Sequence, residues 1–330
     1  MIPLTSPVEP HRPLPGCTIA AATGSATTSG DPLVMSNSDD PFQTRTRLVV
    51  EQPANGLRFI ATQIISPPPM VSWTNMHTRG LNEAGMAYTW SYVTPRHEPT
   101  DATAIGIPYY QIGSLLLGQA RTLGEALELL DSCPRAFHGN YLFADRSGEI
   151  ALAEVGTRTI RVTERIRDGA IGRTNHWLDG DSLEDEAIEC STHHRLARIQ
   201  QLLAEHDGRL GTERFMGFCR DHEGRDDPEV RHSICSHGHG GQGVEWFGTV
   251  SSEIMEPVSG TFRYSYGWPC GELPTAPAMQ PLQDRSWGSY LPFKLEDLEP
   301  GEYVSTEGQL TPLALAHLAS RLDTGVLAGV

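Results

Sequence analysis

The chain has 330 residues, 38% of them hydrophobic and 20% charged, enough to bury a sizeable core in one large domain or two small ones. Its net charge of −16, from 41 acidic against 25 basic residues, argues against nucleic acid or anionic membrane as a partner, because both need a basic face. No run reaches the roughly 18 apolar residues of a membrane span, and the start of the chain lacks the basic and apolar regions of a signal peptide, so a cytoplasmic protein is expected.

Residues 1–16 hold five prolines and little periodicity, which predicts an extended leader outside a single domain spanning 17–330. Pro15-Gly16-Cys17-Thr18-Ile19-Ala20-Ala21-Ala22 then places a small residue, a cysteine and a short apolar strand in succession. A second apolar run, Leu33-Val34-Met35, ends in Ser36-Asn37-Ser38-Asp39-Asp40, and the two runs read as a hairpin. Arg47 to Glu51, Leu57 to Ile64 and Met70 to Thr74 read as further strands, divided by proline and Asn55-Gly56.

Gly80 to Gly85 reads as a turn leading into a strand over Met86 to Val93. Helices follow at Pro108 to Ala120 and after Thr122, whose Glu125 three positions on forms a capping box. Tyr141 to Asp145, Glu149 to Val155 and Thr159 to Val162 read as a β-meander. An amphipathic helix runs from Ser191 on Leu196, Ile199, Leu202 and Leu203 to about Asp207-Gly208. A hairpin over Gly248 to Met255 and Thr261 to Tyr266 and a last helix from Thr311 close the chain. Hairpin-connected strands with helices grouped between them argue for an α+β protein of antiparallel sheets covered by helices.

A cut before Cys17 would leave one residue carrying both a thiol and a free α-amine. The amine, with a pKa of about 7.7–8.0, can take the proton of a thiol titrating at about 8.5, so nucleophile and base coincide. Gly16 without a Cβ lets the scissile peptide strain and lets the thiol approach its own preceding carbonyl. The plainer reading is a buried strand cysteine. Asp39 would lie near Cys17 if the hairpin forms, where it could orient the amine, although Asn37-Ser38-Asp39 also fits an Asx-rich turn. Asn82 and Asn175 could donate to an oxyanion, and both are also ordinary turn formers.

The six cysteines are spread without a CxxC pair. Cys235, His237 and His239 could share one face, but the segment lacks a fourth ligand and its glycines read as a flexible loop, so neither metal nor cofactor is expected. His193-His194 reads as solvated or capping, and the acidic stretch Asp179 to Glu189 as a solvated loop. No GxSxG elbow supports a serine triad, and Cys17 lacks papain-like CGxCW surroundings.

Taken in order, Gly16-Cys17-Thr18, Asn37-Ser38-Asp39, Gly80-Leu81-Asn82-Glu83-Ala84-Gly85-Met86, Asp145-Arg146-Ser147-Gly148 with Ala153-Glu154, Thr174-Asn175-His176, Ser233-Ile234-Cys235 and Pro269-Cys270 resemble the acyl-CoA:6-aminopenicillanate acyltransferase family. That family includes carcinine hydrolase and belongs to the N-terminal nucleophile (Ntn) hydrolases. Two departures stand out: Ser38 replaces the tryptophan of the acyltransferases, and only sixteen residues precede Cys17 where they carry a longer pro-segment.

The resemblance implies a four-layer αββα sandwich, autocleavage between Gly16 and Cys17 with loss of the pro-segment, and Cys17 as nucleophile. It matches Asp39 to the residue that positions the amine, Asn175 to the oxyanion asparagine, and Asn82 to the corresponding asparagine of related bile-salt and penicillin V hydrolases. Cys235 and Cys270 match positions read as structural. The expected reaction is hydrolysis of a linear N-acyl amide through a thioester, with acyl transfer to an amine acceptor as the alternative. The expected partners are therefore a small-molecule N-acyl amide and an acyl donor or acceptor, with oligomerisation left open. Trp90, Tyr92 and Trp177 are candidates to line an apolar acyl pocket. From other classes, an unprocessed β-rich scaffold would keep residues 1–16, and metal-dependent hydrolysis would use Cys235, His237 and His239.

Overall fold

The structure is a computed structural model that describes residues 16–41, 44–65, 76–93, 105–178, 191–226, 233–237, 247–273 and 286–322. The apolar runs at the start form the expected hairpin, β1 (Thr18–Thr23) against β2 (Leu33–Pro41), with Thr18 opposite Asn37 and Ala22 opposite Leu33. Strand β2 continues to Pro41, so Asn37-Ser38-Asp39 is strand rather than Asx turn. The reason is tertiary: the Asn37 amide donates to the Cys219 and Ile234 carbonyls at 2.9 and 2.8 Å, and so has no need to bond its own backbone.

Next come β3 (Arg45–Glu51), β4 (Phe59–Ile65), β5 (Met76–Asn82) and β6 (Met86–Ser91). Gly80 to Asn82, expected in a turn, belong to β5, and the turn is confined to Glu83 to Gly85. The expected strand over Met70 to Thr74 lies outside the described residues. After β7 (Ile107–Pro108) come helices α1 (Tyr109–Gln119) and α2 (Leu123–Ser132). The start of α2 is capped as its sequence predicts, Thr122 Oγ1 accepting from the Glu125 amide at 3.2 Å, while Asp145 Oδ2 takes the Leu123 amide at 3.0 Å.

Strand β8 (Arg135–Ala136) precedes the meander β9 (Gly139–Asp145), β10 (Ile150–Val155) and β11 (Ile160–Ile166). Then follow β12 (Gly169–Arg173), α3 (Ser191–Glu205), α4 (Thr212–Cys219), β13 (Phe247–Glu256), β14 (Thr261–Tyr266), β15 (Leu291–Lys294), β16 (Gly301–Val304) and α5 (Pro312–Leu322). None of the described helices is long and apolar enough to cross a membrane.

Two antiparallel sheets result, β12-β1-β2-β13-β14-β15 and β11-β10-β9-β6-β5-β4-β3-β16. In β1, Ile19 and Ala21 enter the core between the sheets while Ala20 and Ala22 meet α3 and α4 on the other face. In β10, Ile150 and Leu152 face the other sheet, and Ala151, Ala153 and Val155 join the core beneath α1 and α2. Strands covered on both faces read as continuous apolar runs, which is why β1 and β10 carry so little polar alternation. The layering is αββα, as the resemblance implied.

Gly113 marks how tightly α1 lies on the sheet, since a Cβ there would come within 1.9 Å of the His77 carbonyl oxygen and 2.1 Å of Tyr88 Oη. Alanine would gain about 1 kcal/mol of helix propensity but would force α1 off β5 and break the bond that Tyr88 Oη donates to His77. Gly113→Ala is therefore expected to lower unfolding free energy by about 1–3 kcal/mol, read by urea denaturation.

Candidate active site

Alternation along β1 turns Cys17 to the same inter-sheet side as Ile19 and Ala21. On that side Arg79 of β5, 1% exposed, donates from Nη2 to Cys17 Sγ at 3.0 Å and from Nε to Ser36 Oγ at 2.6 Å. Its charge is met by Glu253 of β13, whose Oε2 lies 3.6 Å from Arg79 Nε. Glu253 Oε1 in turn accepts from Thr62 and Ser251 at 2.9 and 2.7 Å. Burial pushes the Cys17 thiol up, the Arg79 cation opposes that rise, and Asp40 and Asp39 reinforce it. The net direction is upward, so the sulfur carries its proton.

The other face of β1 meets α3. Arg195, also 1% exposed, donates from Nη1 to the Cys17 carbonyl at 2.8 Å and to Thr18 Oγ1 at 3.1 Å, and from Nη2 to Asn175 Oδ1 at 3.1 Å. Asn175 follows β12 and donates from Nδ2 to the Tyr92 carbonyl at 2.9 Å. Its side chain lies against the leader: a Cβ on Gly16 would sit 2.0 Å from Asn175 Oδ1. Glycine at position 16 is thus required by this close approach.

The β1–β2 register, carried two residues past Thr18 and Asn37, sets Gly16 opposite Asp39. Asp39 Oδ1 accepts from Thr249 Oγ1 at 2.7 Å, and its buried Oδ2 has no hydrogen-bond partner among the described residues. Burial raises the Asp39 carboxyl to about 7, against the pull of Arg195 and Thr249. Cys17, Asp39 and Asn175 are therefore brought together.

Asn82 is not brought to the same use. Both hydrogens of its amide are spent on the Leu117 and Ala120 carbonyls, at 3.0 and 2.6 Å, and its Oδ1 takes the Ala84 and Met86 amides. It pins the β5–β6 turn to the end of α1, and the oxyanion role expected of it finds no support in this geometry. Of the aromatic candidates, Trp90 and Trp177 are buried at 7% and 3% exposure, whereas Tyr92 is exposed at 37%, 6.2 Å from Trp90 between ring centres. Tyr92 is the exposed one of the three, and its backbone carbonyl accepts from Asn175 Nδ2.

Away from Cys17, the ligand atoms of His222, Cys235, His237 and Cys270 lie within 4.8 Å of one another. Cys235 and His237 come together as the sequence suggested, joined by His222 and Cys270, while His239 and the acidic stretch Asp179 to Glu189 lie outside the described residues.

Sequence reasoning missed Arg79, Arg195 and Glu253. Arg195 could have been found, since it falls four residues before Ile199 on the apolar stripe of α3, where a solvated arginine has no place. Arg79 and Glu253 carry no such signal, because their partners come from other strands.

A family model described as acyl-coenzyme A:6-aminopenicillanic acid acyl-transferase matches residues 26–269. No curated protein matches the chain in sequence. Among solved structures, a variant of conjugated bile acid hydrolase from Clostridium perfringens is similar at a TM-score of 0.55 and 11% identity, covering 90% of this chain and all of that one (100%). Penicillin V acylase from Agrobacterium tumefaciens is similar at a TM-score of 0.47 and 13% identity, over 76% of this chain and 83% of that one.

The raised Asp39 carboxyl gives a pH signature. Between its ordinary 3.8 and about 7 the native chain binds a proton that the unfolded chain has released, so this group's stabilisation is present at low pH and lost as pH rises through that window. Asp39→Asn in a Cys17→Ala background should remove that loss, making the variant more stable relative to its parent at pH 8 than at pH 4 by on the order of a few kcal/mol. Parallel denaturant titrations at the two pH values check this.

Proposed function

Because the chain belongs to the acyl-coenzyme A:6-aminopenicillanic acid acyl-transferase family, a group within the Ntn hydrolases, we propose that it is an autoprocessing N-terminal-cysteine amidase acting on linear N-acyl amides. The observation that carries this is Asp39 Oδ2, a buried oxygen without a hydrogen-bond partner among the described residues, which the extended β1–β2 register sets opposite the Gly16–Cys17 peptide. A buried carboxylate oxygen normally finds a donor. Cleavage creates one, the α-ammonium of Cys17.

The first step is an attack of Cys17 Sγ on the Gly16 carbonyl carbon. The S–C bond forms, the C–N bond of the peptide breaks, and the thiol proton ends on the departing nitrogen, which becomes the α-amine. Water then hydrolyses the thioester and residues 1–16 leave as a carboxylate. Asn175, whose side chain lies against Gly16, would donate to the oxyanion of that step by turning its Nδ2 from the Tyr92 carbonyl.

The space left by the leader suits the acyl group of a substrate, because the Gly16 carbonyl is itself an acyl carbonyl presented to the same sulfur. In the mature chain the α-amine takes the thiol proton, the thiolate attacks the amide carbon, and the proton passes to the leaving amine. Arg79 favours the thiolate and Arg195 fixes the Cys17 carbonyl. Water resolves the thioester into acid and free enzyme. An amine acceptor in place of water would give acyl transfer with the same intermediate.

Intact mass of the purified protein is expected to correspond to a chain starting at Cys17, while Cys17→Ala keeps the leader and loses more than about 10³-fold in turnover of N-acyl amines. A fully active chain that retains Gly16 would overturn the reading. With chromatographic detection of both free acid and transferred acyl product, the same assay separates hydrolysis from transfer. Asn175→Ala should cost about 10²–10³-fold in kcat, and Asn82→Ala should act mainly on stability, leaving kcat of the folded fraction within roughly 10-fold.

A further inference from the structure

We propose that His222, Cys235, His237 and Cys270 form a closed structural zinc site that clips together three loops behind the active-site strands. Around His237 Nε2 lie His222 Nε2 at 3.1 Å, Cys270 Sγ at 3.1 Å and Cys235 Sγ at 3.6 Å. A ring nitrogen has either one proton or one lone pair, so His237 Nε2 satisfies one of these neighbours and not three. An ion at their centre satisfies all four groups at once. Tetrahedral zinc with bonds of about 2.3 Å to sulfur and about 2.0–2.1 Å to nitrogen spaces its ligand atoms roughly 3.3–3.8 Å apart; here the three distances from His237 Nε2 are 3.1, 3.1 and 3.6 Å and all four atoms lie within 4.8 Å of one another.

The surroundings of the two imidazoles match what a metal requires. Both rings turn Nε2 inward and Nδ1 outward, and both Nδ1 atoms meet the same carboxylate: Glu272 Oε1 lies 3.8 Å from His222 Nδ1 and Glu272 Oε2 lies 3.5 Å from His237 Nδ1. A carboxylate behind a ligating histidine holds the proton on Nδ1 and leaves the Nε2 lone pair for the metal. Arg225 fixes that carboxylate, reaching its two oxygens at 3.1 and 3.0 Å. The Glu272 amide also points to Cys270 Sγ at 3.4 Å, and the indole of Trp268 stacks on the His237 ring with 3.9 Å between centres.

The charge balances as well. Binding displaces one proton from each thiol to solvent, and two thiolates neutralise the dication, while Glu272 is offset by Arg225. Two sulfurs and two nitrogens in a tetrahedron select zinc among common cellular ions, and four protein ligands leave no open position, which makes the site structural rather than catalytic. The ligands come from the turn after α4, from the segment leading to β13 and from the turn after β14, none of which is regular structure. Besides the Arg225–Glu272 pair, direct bonds between these pieces among the described residues include the Cys235 amide to the Asp221 carbonyl at 2.9 Å and Arg220 Nε to the Pro269 carbonyl at 2.9 Å.

The site can be tested without any substrate. Protein expressed with zinc and purified with a thiol reductant should contain about one zinc per chain by elemental analysis, and Cys235→Ser and Cys270→Ser less than roughly a tenth of that. Glu272→Gln should keep the fold and bind zinc about 10–100-fold more weakly in competition with a chromophoric chelator. Because the cysteine variants could fail to fold, wild-type protein stripped by chelator and refilled with cobalt(II) gives an independent readout. The expected spectrum has the intense visible bands of tetrahedral cobalt and thiolate charge-transfer absorption in the near ultraviolet. A reduced, folded wild type that takes up neither zinc nor cobalt overturns the proposal, as does a Cys235–Cys270 disulfide in protein purified without oxygen.

Discussion

A guanidinium held between two β-sheets, away from water, is tolerable only if charge and hydrogen bonds meet it there. Arg79 is met by Glu253 of β13, by the Ser36 hydroxyl of β2 and by the sulfur of Cys17 just ahead of β1. Removing one member of such a buried pair typically costs about 3–5 kcal/mol, because the other is left uncompensated. The contact that pulls the Cys17 thiol toward its thiolate therefore also fixes β5 against β2, β13 and the start of β1.

The opposite face of β1 repeats the device with a different target. Arg195 reaches out of the helical layer to the Cys17 carbonyl and to Asn175, so the backbone of Cys17 is gripped from one side and its sulfur from the other. Between them runs the Gly16–Cys17 peptide, too close to Asn175 for any side chain at position 16. Asp39 keeps one buried oxygen, Oδ2, without a hydrogen-bond partner among the described residues. Its upward shift comes from burial, which Arg195 and Thr249 only partly offset.

A line of direct contacts joins this centre to the histidine and cysteine cluster. Asp39 accepts from Thr249; Thr249 Oγ1 accepts from the Ser236 amide at 2.9 Å; and Ser236 adjoins Cys235. Whatever holds the loop of Cys235 also holds the hydroxyl that orients Asp39. Thr249 lies at the bulge where the β13 register shifts against β2, so the strand alone does not fix it.

Local pattern carried the strands of the first hairpin, the meander, the capped α2 and the amphipathic α3, because each is specified by spacing, capping and turn chemistry within a short stretch. The layered architecture and the family were legible in the order of motifs from Gly16 to Cys270. Short or glycine-containing elements such as β12, α4, β15 and β16 were not, since neighbours rather than propensity sustain them. The strand character of Asn37 to Asp39 and Gly80 to Asn82 was likewise hidden, because its polar side chains are satisfied by distant backbone. By itself the sequence determined the position of the cysteine, the small residue before it and the strand behind it. Only the tertiary structure decided which charges face that cysteine, which asparagine lies beside it and which four side chains converge behind it, for those are long-range encounters that no local spacing encodes.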